Sequence, residues 1–315
     1  MAEQLLPRHI VQRRQYDRQR YARHLTQEEL NQRIRDVLLN ILDLSENGKI
    51  GVGPIDAEFE VWSEKWTHVL EEMQLRHGPY PKGFTSGFLK DSIPFFASEL
   101  GKKAAATMAS LGLRRDEVFI KFGKACFMTA LHERGSLRIQ PASYFADPSH
   151  NLAVQDSELT RRISLVLSGE DVRKLVINPQ DLPDQVSDQR VDVQFTFPTD
   201  YHLYCLTTSV KPRLFVDFDA EACVIIRDRA AFTGLLQAKA AERLPHSSMT
   251  SGRAQYIDPL LPTSGRVFVP LCKHFGYEYQ REYRFCWLPP RPAKQLTSVD
   301  VEIGSLKEIA DLIVL

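Results

Sequence analysis

The spacing of apolar residues changes near residue 110 of the chain. Before that point, hydrophobic positions recur every three or four residues, as they do along one face of a helix. One such run follows the capping-box sequence Thr26-Gln27-Glu28-Glu29 and ends at Asn47-Gly48. Its apolar members are Leu30, Ile34, Val37, Leu38, Ile41 and Leu42. Similar runs at residues 56–76 and 92–111 predict two more helices, so residues 1–110 are predicted to form a helical N-terminal region.

Beyond residue 110 the pattern is that of strands, in which side chains alternate between two faces. Strands are predicted at residues 118–122, 137–140, 191–197, 201–206, 222–227 and 299–303, and residues 157–167 fit either a strand or a helix. Helices are predicted at 125–133, 230–244 and 306–313, and polar connections at 178–192 and 245–265. The predicted fold class is therefore α+β, with a mixed β-sheet domain at residues 111–315.

The segment at residues 271–290 is densely aromatic, and from Gln280 onward its residues alternate with a period of two. This alternation predicts a strand that begins at Gln280. One face would carry Gln280, Glu282, Arg284 and Cys286, and the other Arg281, Tyr283, Phe285 and Trp287. An amide and a carboxylate side by side on one face of a strand, with aromatic packing on the other, indicate a candidate site.

Composition narrows the class of protein. The 315 residues are 43% hydrophobic and 25% charged, which is ordinary for a soluble protein with a real core, and no apolar run approaches the ~18 residues of a membrane span. The five cysteines are scattered, which favours free thiols in a reducing compartment over disulfides or a metal framework. We therefore expect a cytoplasmic protein. His274 and Glu278 would converge on a metal ion only in a helix, so no metal site is predicted.

The formal net charge is zero, so any interaction with nucleic acid has to come from a local patch. Residues 1–25 contain six arginines interleaved with Gln and Tyr. These arginines are Arg8, Arg13, Arg14, Arg18, Arg20 and Arg23. Two interpretations are open: this segment contacts a nucleic-acid backbone, or it is a solvated and partly frayed helix or arm.

Three consecutive hydroxyl residues, Thr207-Thr208-Ser209, follow the apolar strand predicted at 201–206. Hydroxyls at such a position either cap a turn or bind a ligand, and both interpretations are open. The order of three motifs along the chain resembles the Arg–Ser-Thr-Ser–Glu layout of the ADP-ribosyltransferase superfamily. These motifs are a strand with Lys121, the hydroxyl triplet and Gln280-Arg281-Glu282. The resemblance covers roughly residues 115–305.

The resemblance extends to the residues around these motifs. The segment from Tyr204 to Val210 is similar to the family's aromatic-x-x-Ser-Thr-Ser element, and Tyr277 and Tyr279 stand where the family carries an aromatic on its substrate-recognition turn. The chain differs in having Lys121 at the position of the first-strand Arg, with Arg138 on the next strand as a possible substitute. Thr207 replaces the first Ser, and the gap from Ser209 to Gln280 is longer than in the family.

The resemblance implies a split β-sandwich catalytic domain that uses NAD as co-substrate. Glu282 would be the catalytic carboxylate, and Gln280 would orient the acceptor, with amide, thiol or guanine-base acceptors going with Gln at this position. NAD would be held by Lys121 or Arg138 at the diphosphate and by residues of the triplet strand, and Tyr277 and Tyr279 would bind the substrate. The residues of the triplet strand are Tyr204, Thr207, Thr208 and Ser209.

A second, looser resemblance is to uncharacterised bacterial proteins with a Phe-Asn-Asp-Pro loop and a late Glu-x-Arg motif. Its counterparts here are Phe145-Ala146-Asp147-Pro148 and Glu282-Tyr283-Arg284. Together the resemblances imply a toxin or phage-defence effector that transfers ADP-ribose to a nucleic-acid base or a protein side chain, with the N-terminal helices as a contact for a partner protein. The alternative is a non-catalytic binding or scaffold protein, in which Glu282 would lie away from any cleft.

Overall fold

Helices and antiparallel sheets are combined in the fold, as the α+β prediction requires. The computed structural model describes residues 6–45, 47–53, 57–79, 98–151, 153–175, 180, 188–262 and 267–315. Among these residues, no helix is both long enough and apolar enough to cross a bilayer.

The N-terminal region contains the three helices predicted from apolar spacing, which are α2 (Gln27–Ile41), α3 (Ala57–His77) and α4 (Glu99–Ser110). The arginine-rich segment before them forms a further helix, α1 (Arg8–Gln19). The capping box is confirmed, because the Thr26 hydroxyl accepts from the Glu29 N–H and the Glu29 carboxylate accepts from the Thr26 N–H. A short antiparallel pair, β1 (Leu42–Leu44) and β2 (Ile50–Val52), follows α2. Residues 92–97 of the predicted third helix lie outside the described residues.

The strands of the main sheet are β3 (Phe119–Gly123), β4 (Ser136–Pro141), β7 (His202–Thr207), β8 (Ala222–Ile226), β9 (Ser248–Arg253), β12 (Glu282–Leu288), β13 (Val299–Glu302) and β14 (Ala310–Val314). They follow the order β13-β4-β7-β3-β8-β14, with β12 on the other edge of β7 and β9 beyond β12. Along β7, Leu203 pairs with β4 and Thr207 pairs with β3, while both residues pair with β12 on the opposite edge. Strands β3 and β4 therefore share one edge of β7, and the sheet splits into two branches along that edge.

The remaining elements surround this sheet. The helices are α5 (Ala125–Arg134), α6 (Gly169–Leu175), α7 (Arg213–Asp217) and α8 (Arg229–Arg243), and short 3₁₀ helices form at Ala142–Ala146, Val269–Leu271 and Phe275–Gln280. Strands β5 (Thr160–Leu167) and β6 (Gln189–Thr196) form an antiparallel pair, and β10 (Gln255–Ile257) and β11 (Cys272–His274) a parallel one. The Phe275–Gln280 helix is called the 275–280 turn below.

The alternation predicted for residues 282–287 is confirmed by their packing. Tyr283, Phe285 and Trp287 face a core that also contains Phe119 of β3 and Phe232 of α8. The rings of Phe119 and Tyr283 are 4.7 Å apart between centroids. Each buried aromatic side chain of this kind removes a large apolar area from water, so this face anchors β12 to the sheet.

A second core joins the N-terminal helices to the 275–280 turn. Trp62 of α3 stacks on Phe275 with ring centroids 6.0 Å apart, among apolar residues of α1, α2 and α3. A buried bidentate ion pair links Arg33 of α2 to Asp258 at 2.9 and 3.0 Å. The turn is therefore held by both parts of the chain.

Three predictions for the second half of the chain were wrong. Residues 306–313 were predicted to be helical, but their second half forms β14, because pairing with the edge of β8 outweighs the helical spacing of Leu306, Ala310 and Ile313. The polar segment 245–265 contains β9 and β10, since an apolar neighbour such as β12 can order a polar edge strand. The strand predicted from Gln280 begins at Glu282, after Arg281 in a left-handed conformation with φ 45°.

Two further segments had open or partial predictions. Residues 157–167, which fitted a strand or a helix, contain strand β5. The connection predicted at 178–192 lies largely outside the described residues, and its last four residues belong to β6.

Candidate functional site

Four of the predicted site residues, Lys121, Thr207, Gln280 and Glu282, line one pocket of about 190 Å³. This volume is below the ~300–1,000 Å³ of pockets that enclose a whole small-molecule ligand. The pocket therefore suits one ring or sugar of a larger ligand. Its other lining residues are Ile120, Phe122, Phe145, Ala153, Val154, Glu158, Cys205, Leu206, Phe218 and Lys273.

Strand register brings the polar residues of the pocket together. Thr207, at the end of β7, lies opposite Glu282 of β12 on one side and opposite Ile120 of β3 on the other. Lys121 is the next residue of β3. Lys121 and Glu282 are therefore carried by the two strands that flank the end of β7.

The carboxylate of Glu282 lies in the pocket wall with 11% of its side chain exposed. Its Oε1 accepts a hydrogen bond from the Lys273 ammonium, and its Oε2 accepts one of 2.9 Å from Nε of Arg284. Burial alone would raise the pKa of this carboxyl, but the charges of Lys273 and Arg284 outweigh burial and lower the pKa to about 2. Glu282 is therefore ionised at neutral pH.

Arg284 connects Glu282 to a second buried acid. Its guanidinium, which is fully buried, holds Glu158 through two bonds of 2.7 and 2.9 Å. Arg161 also donates to Glu158, at 2.9 Å. The carboxylates and cations behind the pocket thus alternate, so that each buried charge has a partner of opposite sign, as a low-dielectric interior requires.

Gln280 is fully buried, and both ends of its amide are bonded. Its Oε1 accepts a bond of 2.8 Å from Lys273, while its Nε2 donates to the Ala153 carbonyl at 2.9 Å and to the Tyr279 hydroxyl at 3.3 Å. Gln280 lies in the 275–280 turn, so it shares the pocket with Glu282 but not a strand face. Its amide joins this turn to the loop that contains Ala153.

The Lys121 ammonium donates to the Cys205 carbonyl at 2.8 Å and lies 4.7 Å from the centroid of the Tyr204 ring. Burial lowers the pKa of Lys121, although the charge of Glu282 acts in the opposite direction. Among the described residues, no carboxylate lies within ion-pair distance of this ammonium. An anionic ligand group would supply the missing partner.

The remaining residues of the predicted triplet strand do not line the pocket. Tyr204 belongs to the apolar core, where its buried hydroxyl has no hydrogen-bond partner among the residues that the structure describes. Thr208 donates to Asp116 at 2.8 Å, and the Ser209 N–H donates to the Thr207 hydroxyl at 2.8 Å. The triplet therefore forms a turn at the end of β7. Of the two interpretations that the sequence left open, the contacts of Thr208 and Ser209 favour the capped turn over ligand binding.

Three other predicted residues also lie away from the pocket lining. Arg138 of β4 is exposed and pairs with Asp300 of β13 at 2.7 Å, so it does not substitute for Lys121 at this pocket. Tyr277 donates to the Gln155 carbonyl at 3.0 Å, and Tyr279 is buried beneath the guanidinium of Arg213 at 4.1 Å from its ring centroid. Both tyrosines hold the 275–280 turn in place.

Three charged residues of the pocket and of the network behind it were not singled out by the sequence patterns: Lys273, Glu158 and Arg161. Lys273 lies between Cys272 and His274 in β11, where nothing in the local pattern distinguishes a buried lysine from an exposed one. A partial signal existed for Arg284 and Phe145, because both belong to the looser of the two resemblances. Phe145 lines the pocket and Arg284 supports Glu282, so the two motifs of that resemblance lie together.

Within the described part of the chain, no three His, Cys, Asp or Glu side chains are grouped so that they could hold a metal ion. Neither a family model, nor a characterised protein, nor a solved structure matches the chain. The candidate site therefore has to be interpreted from its own geometry.

Proposed function

We propose that the protein is an NAD-dependent mono-ADP-ribosyltransferase with a split β-sandwich catalytic domain at residues 111–315. One observation carries the proposal: Lys121, Thr207 and Glu282 lie on three neighbouring strands and line one pocket. Three motifs far apart in sequence were expected to meet in a catalytic domain, and Glu282 was expected to lie away from any cleft in a degenerate one.

In this proposal the pocket holds the nicotinamide ring of NAD, and the attached ribose lies beside Glu282. When the bond between nicotinamide and ribose breaks, nicotinamide leaves and positive charge develops on the sugar, as in glycoside hydrolysis. The ionised Glu282 accepts a hydrogen bond from a ribose hydroxyl and stabilises this positive charge. A nucleophilic atom of the acceptor then forms the new bond to the ribose carbon and loses its proton to water. Phe122, Phe145 and Phe218 supply apolar walls for the leaving ring.

The Lys121 ammonium binds the diphosphate through charge-assisted hydrogen bonds, as a point charge instead of the bidentate fork that Arg provides. Thr207 lies between Lys121 and Glu282 and contacts the nicotinamide side. Gln280 cannot act as a general base, so we assign to it the orientation of an amide, thiol or guanine-base acceptor, with Lys273 fixing both Gln280 and Glu282.

The same proposal gives the protein a biological setting, which rests on the resemblance alone. The protein would act in the cytoplasm as a toxin or antiviral effector, on a nucleic-acid base or a protein side chain. A partner protein that neutralises it would bind through the N-terminal helices.

Release of nicotinamide tests the proposal. Purified protein is incubated with NAD labelled in the nicotinamide ring, with and without nucleic acid or cell lysate, and free nicotinamide is measured. We expect release that increases with acceptor and is abolished by Glu282→Gln, while Glu242→Gln on the exposed surface of α8 retains it. Full release by Glu282→Gln would exclude the assigned role of this carboxylate.

A second candidate is a non-catalytic binding protein. The observation that favours it is the pairing of both Glu282 oxygens with Lys273 and Arg284, since a carboxylate with two cationic partners has less capacity for a ribose hydroxyl. Calorimetric titration with NAD distinguishes the candidates. No NAD binding, together with no nicotinamide release by any acceptor, would support the binding protein.

A further inference from the structure

An exposed aromatic residue, Tyr144, lies next to the wall of the candidate pocket. It directly precedes Phe145, which lines the pocket, and the two rings are 5.4 Å apart between centroids and nearly perpendicular, at 88°. Tyr144 remains 41% exposed. Single exposed apolar residues are common on protein surfaces. What distinguishes Tyr144 is its position beside the pocket and the contacts that hold it there.

The local helix explains why Tyr144 lies outside while its neighbour is part of the wall. Both residues belong to the 3₁₀ helix Ala142–Ala146. Side chains three residues apart in such a helix eclipse each other, so Ala142 and Phe145 share one face. That face packs in the apolar cluster that also contains Tyr201. Tyr144 is on a different face of the helix and is therefore left in contact with solvent.

The segment that carries Tyr144 is fixed on both sides. Before it, the N–H and the hydroxyl of Ser143 donate to the buried carboxylate of Asp200 at 3.1 and 2.7 Å. After it, the ring of His150 lies 4.4 Å from the Tyr144 ring between centroids, and Nε2 of His150 donates to the Tyr144 carbonyl at 3.0 Å. The exposed ring is therefore largely ordered before a ligand binds, which lowers the entropy that is lost on binding.

The pocket accommodates one of the two ring systems of NAD. Its volume of about 190 Å³ suits the nicotinamide ring, so the adenine ring has to lie outside it. The two rings belong to one molecule and are joined through the riboses and the diphosphate, which Lys121 binds in the proposed function. The adenine ring is therefore tethered near the pocket, where Tyr144 offers it an aromatic surface.

We infer that Tyr144 binds the adenine ring of NAD by stacking. The inference rests on the proposed function, because it takes NAD as the ligand of the pocket. Every nucleobase has a flat π-face that can stack on an aromatic side chain. Tyr also provides a large contact area at a low cost in conformational entropy, since its side chain has only two χ angles. Stacking uses the ring and not the hydroxyl, so Phe at this position should serve as well.

The experiment combines a shortened ligand with a shortened side chain. Calorimetric titrations compare NAD with nicotinamide mononucleotide, which lacks the adenosine half. The test variant is Tyr144→Ala, and Tyr144→Phe is the conservative variant. The matched control is Phe127→Ala, because Phe127 is 68% exposed on α5, a helix that packs against the face of the sheet that carries Phe285.

We expect Tyr144→Ala to bind NAD on the order of tenfold more weakly than the wild-type protein, as is usual when one base loses its aromatic partner. Tyr144→Phe and Phe127→Ala should bind NAD as the wild-type protein does. Nicotinamide mononucleotide should bind all four proteins with the same affinity, since it has no adenine ring to stack.

Three results would overturn the inference alone. They are an unchanged affinity of Tyr144→Ala for NAD, an equal loss of affinity for nicotinamide mononucleotide in this variant, and an equal loss of NAD affinity in Phe127→Ala. A wild-type protein that does not bind NAD would overturn the inference and the proposed function together. Weaker NAD binding by Tyr144→Ala, in a protein that releases no nicotinamide with any acceptor, would support the adenine contact and count against the transferase.

Discussion

The side-chain oxygen of Asn40 in α2 accepts a hydrogen bond of 2.7 Å from the backbone N–H of Tyr279, one residue before Gln280. The amide nitrogen of Asn40 donates to the carbonyls of Phe275 and Gly276 at 3.3 and 3.1 Å. One buried side chain of the N-terminal region therefore satisfies three backbone groups of the 275–280 turn. Because this turn carries Gln280, the N-terminal helices take part in building the candidate site.

Replacing Asn40 with Ala should destabilise the protein by about 1–3 kcal/mol, because buried backbone groups of the 275–280 turn would lose their partners. Asn31→Ala, on a partly exposed face of the same helix, is the control and should change stability by less than ~0.5 kcal/mol. Urea unfolding followed by circular dichroism measures both. Equal effects of the two substitutions would mean that the Asn40 contacts contribute little.

Arg284 and Arg138 both make two bonds to a carboxylate, but they differ in burial. Arg284 is fully buried against Glu158, whereas 60% of the Arg138 side chain is exposed beside Asp300. We expect Arg284→Ala to lower the free energy of unfolding by about 3–5 kcal/mol, because it leaves buried carboxylates without a cation. Arg138→Ala should lower the free energy of unfolding by about 0–1 kcal/mol. Thermal and urea unfolding test the difference, and similar costs would contradict the assigned burial of the network.

Glu282 should make the stability of the protein depend on pH in the acidic range. Its pKa of about 2 in the folded protein is lower than 4.5 in the unfolded chain, so its ion pairs stabilise the fold fully above about pH 5. This stabilisation is lost as the pH falls toward 2 and the carboxyl becomes protonated. The free energy of unfolding should therefore differ most between wild type and Glu282→Gln near neutral pH, and the difference should shrink below pH ~4. A difference that stays constant from pH 3 to 7 would contradict this prediction.

The strands of the candidate site could be predicted because alternation is a local property. The period of two at residues 282–287 was enough to place Tyr283, Phe285 and Trp287 on the core side. The start of that strand could not be predicted in the same way. Gln280 continues the alternation in sequence, but the contacts of Asn40 and Phe275 hold it in a 3₁₀ turn.

The choice between Lys121 and Arg138 shows what local patterns leave undetermined. Both are basic residues in short apolar strands, and their immediate sequences do not separate them. The order of strands in the sheet separates the two residues. Strand β3 pairs with the end of β7 beside Glu282, whereas Arg138 of β4 lies opposite Asp300 of β13. The burial of Lys273 could not be predicted from local sequence either, because the carboxylate that pairs with it, Glu282, belongs to a different element of the fold.

Lys121 should control the affinity for an anionic ligand and the pH dependence of that affinity. Lys121→Met should weaken NAD binding at neutral pH by about tenfold or more, because charge-assisted bonds worth ~1.5–3 kcal/mol are lost. Since burial lowers the pKa of Lys121 below 10.5 and the protonated form binds the anion, wild-type affinity should fall as the pH rises toward that lowered pKa. Calorimetric titrations between pH 7 and 10 measure this effect. The control is Lys124→Met, whose exposed ammonium pairs with Asp219. If Lys121→Met binds NAD as well as Lys124→Met does, Lys121 does not bind the anion. A wild-type affinity that rises with pH over this range would also contradict this role.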